Sequence, residues 1–134
     1  MNKIEHIGIA VKNLNVASKI YEQLLGVTSY KTEAVESENV VTEFFRVGES
    51  KIELLQASSE DSAIYKFIER KGEGIHHVAF EVDDILLEMS RLKRDGFVLL
   101  NEKPKLGADN KLVCFVHPKS ANGVLIEICQ SIMQ

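Results

Sequence analysis

The apolar positions of this chain fall into a short run, a helical stripe and further short runs, and the sequence then begins the same order again. Ile4, Ile7, Ile9, Ala10 and Val11 crowd around Glu5 and His6, as a largely buried strand requires. Asn13 follows as a helix cap, because its side-chain oxygen can accept an orphan N–H of the first turn. Leu14, Ala17, Tyr21, Leu24 and Leu25 then share one helical face, and Gly26 stands where a left-handed C-terminal cap belongs. Extended segments are predicted at about residues 27–34, 40–47 and 51–56, with a turn at Gly48-Glu49-Ser50. A short helix over about residues 61–70 carries Ile64, Phe67 and Ile68 on one side. Lys71-Gly72-Glu73-Gly74 breaks the pattern.

Residues 75–82 read as a second opening strand. Asp83 is the expected cap of a helix with Ile85, Met89 and Leu92 inward, ending at Asp95-Gly96. Strands at about residues 97–100, 112–117 and 123–129 complete this half. Sliding the first strand by 71 places Ile4 on Ile75, His6 on His77 and Val11 on Val82. Such a match is short, but the shared order of strand, helix and three strands makes a repeat. The fold expected is α+β: two tandem βαβββ modules, 1–71 with a linking helix and 72–134, forming a curved, cupped mixed sheet around a metal site.

The repeat duplicates polar residues in apolar strands. His6 and His77 occupy equivalent positions, while Glu53 lies between Ile52 and Leu54 and Glu127 between Ile126 and Ile128. A carboxylate in such a strand is costly to bury unless it is paired or meets a cation. The separations, 53 − 6 = 47 and 127 − 77 = 50, let each half offer a His and a Glu with near two-fold symmetry. His6, Glu53, His77 and Glu127 thus form a nitrogen and oxygen donor set suited to a divalent first-row metal. Glu5 and Glu81 are expected to face solvent. His76 must point opposite to His77 and is assigned to packing or solvent, and His117 to a loop at a strand end.

Composition narrows the classes. With 45% hydrophobic and 27% charged residues the chain reads as an ordinary soluble globular protein and not as a disordered one. A net charge of −4 provides no basic footprint for nucleic acid. No apolar run approaches the ~20 residues of a membrane helix, and the N-terminus shows no secretory pattern. Cys114 and Cys129, both in apolar segments, are expected as reduced, buried thiols of a cytoplasmic protein, with Cys129 on the inward face of Glu127.

On these residues the chain resembles the vicinal oxygen chelate superfamily, whose members pair βαβββ modules around one metal. Within it the chain is similar to the methylmalonyl-CoA epimerase family. Residues 4–11 and Lys51-Ile52-Glu53-Leu54-Leu55 carry part of the resemblance. The more specific signals are Gly72-Glu73-Gly74-Ile75-His76-His77, Lys103-Pro104-Lys105-Leu106-Gly107 and His117-Pro118-Lys119-Ser120.

The resemblance implies epimerisation of (R)- and (S)-methylmalonyl-CoA by α-proton abstraction and return, through an enediolate stabilised by a chelating metal acting as a Lewis acid. It implies His6, Glu53, His77 and Glu127 as ligands of one divalent ion, cobalt first, with nickel, manganese or zinc as alternatives. Some epimerases carry Gln where this chain has Glu53. The resemblance also implies an acyl-CoA substrate, a homodimer, and Glu127 as one acid–base group. The family's second carboxylate falls on Thr42 in an ungapped count, with Glu43 one residue on, so Glu43 serves only with a register shift or bulge. Without one, Glu53 is the second acid–base candidate. Lys103, Lys105, Lys111 and Lys119 form a positive region in the second half.

Three other readings share the scaffold. A glyoxalase I-like lactoylglutathione lyase uses the same ligand types. An extradiol dioxygenase uses two His and one carboxylate with open positions. A metal-free small-molecule binding or resistance protein has no reason to match the four donors.

Overall fold

The computed structural model describes residues 1–132. The chain divides into two compact units, one of residues His6–His76 and one of Met1–Glu5 with the chain from His77 onward.

The first unit contains most of β1 (Lys3–Ala10), then α1 (Leu14–Leu25), β2 (Lys31–Val35), β3 (Val40–Val47), β4 (Ser50–Ala57) and α2 (Ala63–Lys71). Its strands lie in the order β2-β3-β4-β1, with β1 parallel to β4 and the other pairs antiparallel. Asn13 caps α1 by accepting the Val16 N–H, and Gly26 closes it at φ 72°. A side-chain cap of this kind contributes about 1 kcal/mol. Val11, Leu14, Ala17, Phe45 and Leu54 form the core beneath α1, while Ala10, Val40, Leu55 and Ile64 form a second cluster beneath α2. Leu24 departs from its expected place and is 71% exposed. With apolar residues around most of its circumference, α1 buries the Leu14–Ala17 side and leaves Val16, Ile20 and Leu24 outside.

The second unit contains most of β5 (Gly74–Glu81), then α3 (Ile85–Arg94), β6 (Lys105–Leu106), β7 (Lys111–Val116) and β8 (Ile126–Ser131). Its strand order is β5-β8-β7-β6, again with one parallel pair, β5 and β8. Ile85, Met89 and Leu92 pack on Cys114, Val116 and Ile128. Each such apolar side chain contributes roughly 1.5–3 kcal/mol on full burial.

Two expectations are corrected in this unit. The α3 cap is Asp84, which accepts the Leu87 N–H, not Asp83; Asp84 is where the repeat shift of 71 carries Asn13. Residues 97–100 form only an isolated bridge, Leu99 to Val116. There Asn101 Oδ1 takes the Phe115 N–H at 3.0 Å, so a side chain ends the ladder and the edge strand forms later as β6.

The repeat extends to contacts that no motif announced. The Leu14 N–H donates to Gln56 Oε1 at 2.6 Å, and the Ile85 N–H donates to Gln130 Oε1 at 2.8 Å. In each unit the last strand thereby ties down the first turn of the helix. Among the described residues no helix is long and apolar enough to cross a membrane.

Candidate metal and acid–base site

Each unit builds one His–Glu pair from its own parallel strand pair. In the first, Gly8 of β1 is in register with Glu53 of β4, and His6 stands two residues back on the same face. His6 Nδ1 lies 3.0 Å from Glu53 Oε2, and the residues are both 4% exposed. In the second, Ala79 of β5 is in register with Glu127 of β8, and His77 stands two residues back. His77 Nε2 lies 3.4 Å from Glu127 Oε1, with the pair 5% and 6% exposed. Two buried carboxylates therefore each have an imidazole at hand, in matching strand positions.

A phenylalanine stands across from each carboxylate. Phe44 of β3 pairs with Glu53, and Phe115 of β7 pairs with Glu127. The Phe115 ring meets His77 edge-on at 5.8 Å, and Lys105 Nζ lies 5.7 Å from the Phe115 centroid. Lys31 and Lys51 stand over the Phe44 ring at 5.5 and 6.0 Å. Phe115 thus packs directly on the imidazole of its own unit's His–Glu pair.

Glu43 lies on the opposite face from Glu53. β3 and β4 pair in unbroken register from Val40–Ala57 to Val47–Ser50, which sets Glu43 opposite Leu54, the residue under α1. Its carboxylate accepts a hydrogen bond from Ser18 Oγ of α1 at 2.7 Å. Neither the register shift nor the bulge that would turn it toward Glu53 occurs in that ladder. Thr42, one residue earlier, holds the Glu53 face and is 1% exposed.

Glu5 overturns its expected exposure. It is 2% exposed, and its Oε2 lies 3.9 Å from Lys111 Nζ, whose ammonium also donates to Ser131 Oγ at 2.7 Å. A buried carboxylate with an ammonium partner satisfies the same rule that singled out Glu53 and Glu127. Nothing in the local alternation separates Glu5 from a solvent-facing strand residue, and its partner Lys111 is more than a hundred residues away in the chain. Glu81 is half-buried.

The other histidines take structural places. His76 packs edge-on against Phe67 at 4.9 Å, and burial, aided by the charge of Arg70, pushes it down to about 4. His117 accepts the Lys119 N–H on Nδ1 at 3.0 Å and caps the 3₁₀ turn Pro118–Ala121. Cys114 and Cys129 are fully buried thiols outside any disulfide among the described residues, and burial raises the Cys114 pKa. Cys129 packs with Ala79 and Val113, on the Glu127 face of β8.

Comparison with known proteins adds the lineage. Residues 5–115 match the family described as the glyoxalase/bleomycin resistance protein/dioxygenase superfamily. An ethylmalonyl-CoA/methylmalonyl-CoA epimerase of Cereibacter sphaeroides is 39% identical, over 97% of this chain and 98% of its own length. An uncharacterized protein of Bacillus subtilis is 37% identical, over 97% of this chain and 93% of its own. A structure of Streptomyces coelicolor methylmalonyl-CoA epimerase in complex with 2-nitronate-propionyl-CoA superposes with a TM-score of 0.95, at 31% identity and 99% coverage of both chains.

Proposed function

The chain belongs to the glyoxalase/bleomycin resistance protein/dioxygenase superfamily and, within it, to the methylmalonyl-CoA epimerase family, and from that membership we propose that it interconverts (R)- and (S)-methylmalonyl-CoA. One observation carries the proposal beyond kinship: the buried His–Glu pair occurs twice, in matching strand registers, as His6–Glu53 and His77–Glu127.

We assign these four residues to one divalent cation. Two imidazoles and two carboxylates, all buried among apolar neighbours, fit a first-row ion by donor type. Cobalt is our first choice, with nickel, manganese or zinc as alternatives. Such an ion, when bound, supplies Lewis acidity toward the substrate's thioester and carboxylate oxygens.

The chain's own residues move the proton. The methyl-bearing carbon of the substrate lies between a thioester carbonyl and a carboxylate, so its proton is weakly acidic. Glu127 takes that proton from one face and Glu53 delivers one to the other, with the roles exchanged for the opposite stereoisomer. Each positioned acid or base contributes ~10²–10⁴ in rate. Glu53 suits the second role because a carboxylate ligand can accept a proton where an amide cannot. Glu43 stays with Ser18 on the α1 side.

The proposal includes a homodimer in the cytoplasm. The exposed apolar stripe of Val16, Ile20 and Leu24 on α1 supports self-association.

Proton NMR of racemic methylmalonyl-CoA in deuterated water tests the function. Loss of the α-proton signal with metal-loaded protein, abolished by a chelator, is the expected result. No exchange from a loaded protein overturns the proposal and directs the search to hemithioacetals of glutathione.

A further inference from the structure

Thr42 is a buried polar residue without an evident reason to be polar. It stands on the β3 face that carries Phe44 and, across β4, Glu53; its own partner there is Leu55, two residues beyond Glu53. It is 1% exposed, as closed off as His6 and Glu53 at 4%. Its Oγ1 makes no hydrogen bond among the described residues. On β2 the residue opposite is Glu33, whose carboxylate is held by Lys31 at 3.1 Å. A buried hydroxyl without a partner is unfavourable, and folded proteins seldom keep one.

The repeat separates packing from polarity at this position. The shift that carries His6 to His77 also carries Phe44 to Phe115 and Thr42 to Val113. Phe115 stands opposite Glu127 as Phe44 stands opposite Glu53, and Val113 stands opposite Cys129 as Thr42 stands opposite Leu55. Val113 is 5% exposed and packs as an ordinary core residue. The second unit therefore fills this position with a methyl group where the first keeps a hydroxyl of the same size. Packing does not require the oxygen.

We propose that the Thr42 hydroxyl is a substrate contact, donating a hydrogen bond to a carboxylate or thioester oxygen of the bound malonyl-type thioester beside Glu53. The inference rests on the epimerase reading. A hydroxyl suits the place because it is neutral: it places no second negative charge beside Glu53. As the α-proton leaves, negative charge grows on the substrate oxygens, and a hydrogen bond to a charged acceptor is stronger than one to a neutral acceptor. The contact is therefore worth more at the transition state than in the ground state, and it acts on kcat more than on KM. Occupation by substrate also supplies the partner that Oγ1 lacks.

The Thr42→Val and Thr42→Ser variants test this, with thermal unfolding, α-proton exchange kinetics and calorimetric binding of 2-nitronate-propionyl-CoA, whose α-substituent is an anionic nitronate. The valine variant is expected to unfold at the same or a higher temperature than the parent. Its kcat should fall about tenfold or more with a smaller change in KM, and its nitronate affinity should fall about tenfold. The serine variant should recover most of both. Parental kcat and nitronate affinity in the valine variant overturn the inference, as does a drop in unfolding temperature that accounts for the lost activity. If the parent protein itself neither exchanges the α-proton nor binds the nitronate, it is the epimerase reading that has failed.

Discussion

Ser18 Oγ donates a 2.7 Å hydrogen bond to Glu43, and that contact places Glu43 on the α1 side of a ladder whose other face carries Glu53. Two carboxylates in neighbouring strands thereby acquire separate duties. Glu43 ties a helix to its sheet, and Glu53 meets His6. The repeat agrees, because Glu43 is carried onto Cys114, a buried residue of the core under α3.

The Glu43→Gln variant should keep α-proton exchange near the parental rate while losing about 1 kcal/mol of stability, the usual worth of one such hydrogen bond. Ser18→Ala should cost a similar amount, and the double variant little more than either. Denaturant unfolding and exchange kinetics check both halves. A stable Glu43→Gln protein that has lost exchange would return this residue to the acid–base machinery.

Glu53→Gln separates the proposed roles of ligand and base. The amide oxygen still offers a donor to a cation, so metal content measured by elemental analysis should hold. Deuterium incorporation should fall by ~10²–10⁴ from one stereoisomer and much less from the other. Full exchange from both stereoisomers would exclude Glu53 as the second base.

Removing the proposed cation should destabilise the fold as well as stop exchange. An ion held at 100 times its Kd stabilises the native state by roughly 2.7 kcal/mol through mass action. Chelation should therefore lower the unfolding temperature of the parent protein, and His77→Ala should abolish most of that response. An unfolding temperature indifferent to both chelator and added metal would argue against a cation at these residues.

His76 gives the fold a defined acid sensitivity. Its ordinary value is 6.5, and burial, with Arg70 nearby, lowers it in the folded chain to about 4. Between those values the unfolded chain binds a proton that the folded chain refuses, so stability rises with pH across that window. The contribution is fully present above pH 6.5 and is lost as the pH falls toward 4. His76→Gln should flatten the dependence of unfolding temperature on pH in that interval; an unchanged slope would assign the acid sensitivity elsewhere.

The two His–Glu pairs were legible in the sequence because strand alternation and a repeat constrain each other. His6 and His77 interrupt equivalent apolar strands, and Glu53 and Glu127 lie in equivalent closing strands. The strands bring these residues together as the pairs His6–Glu53 and His77–Glu127. The helices at residues 14–25 and 85–94 were similarly readable from apolar spacing and caps, although the cap at Asp84 was misplaced by one residue.

What failed was whatever depended on a partner distant in the chain. Nothing local says that Glu5 is buried, or that Lys111, more than a hundred residues later, stands beside it. Helical spacing groups Leu24 with Leu25, but only the seat of α1 on β3 and β4 decides that Leu24 stays outside. Residues 97–100 have strand-like composition, yet the side chain of Asn101 occupies the ladder position they needed. Local periodicity thus determined most of the elements, their order and which polar residues stand in apolar strands. Register and burial decided which of them meet, sending Glu43 to Ser18 and leaving the Thr42 hydroxyl bare on the Glu53 face, because side-chain direction on a strand is local while the group awaiting it belongs to another strand.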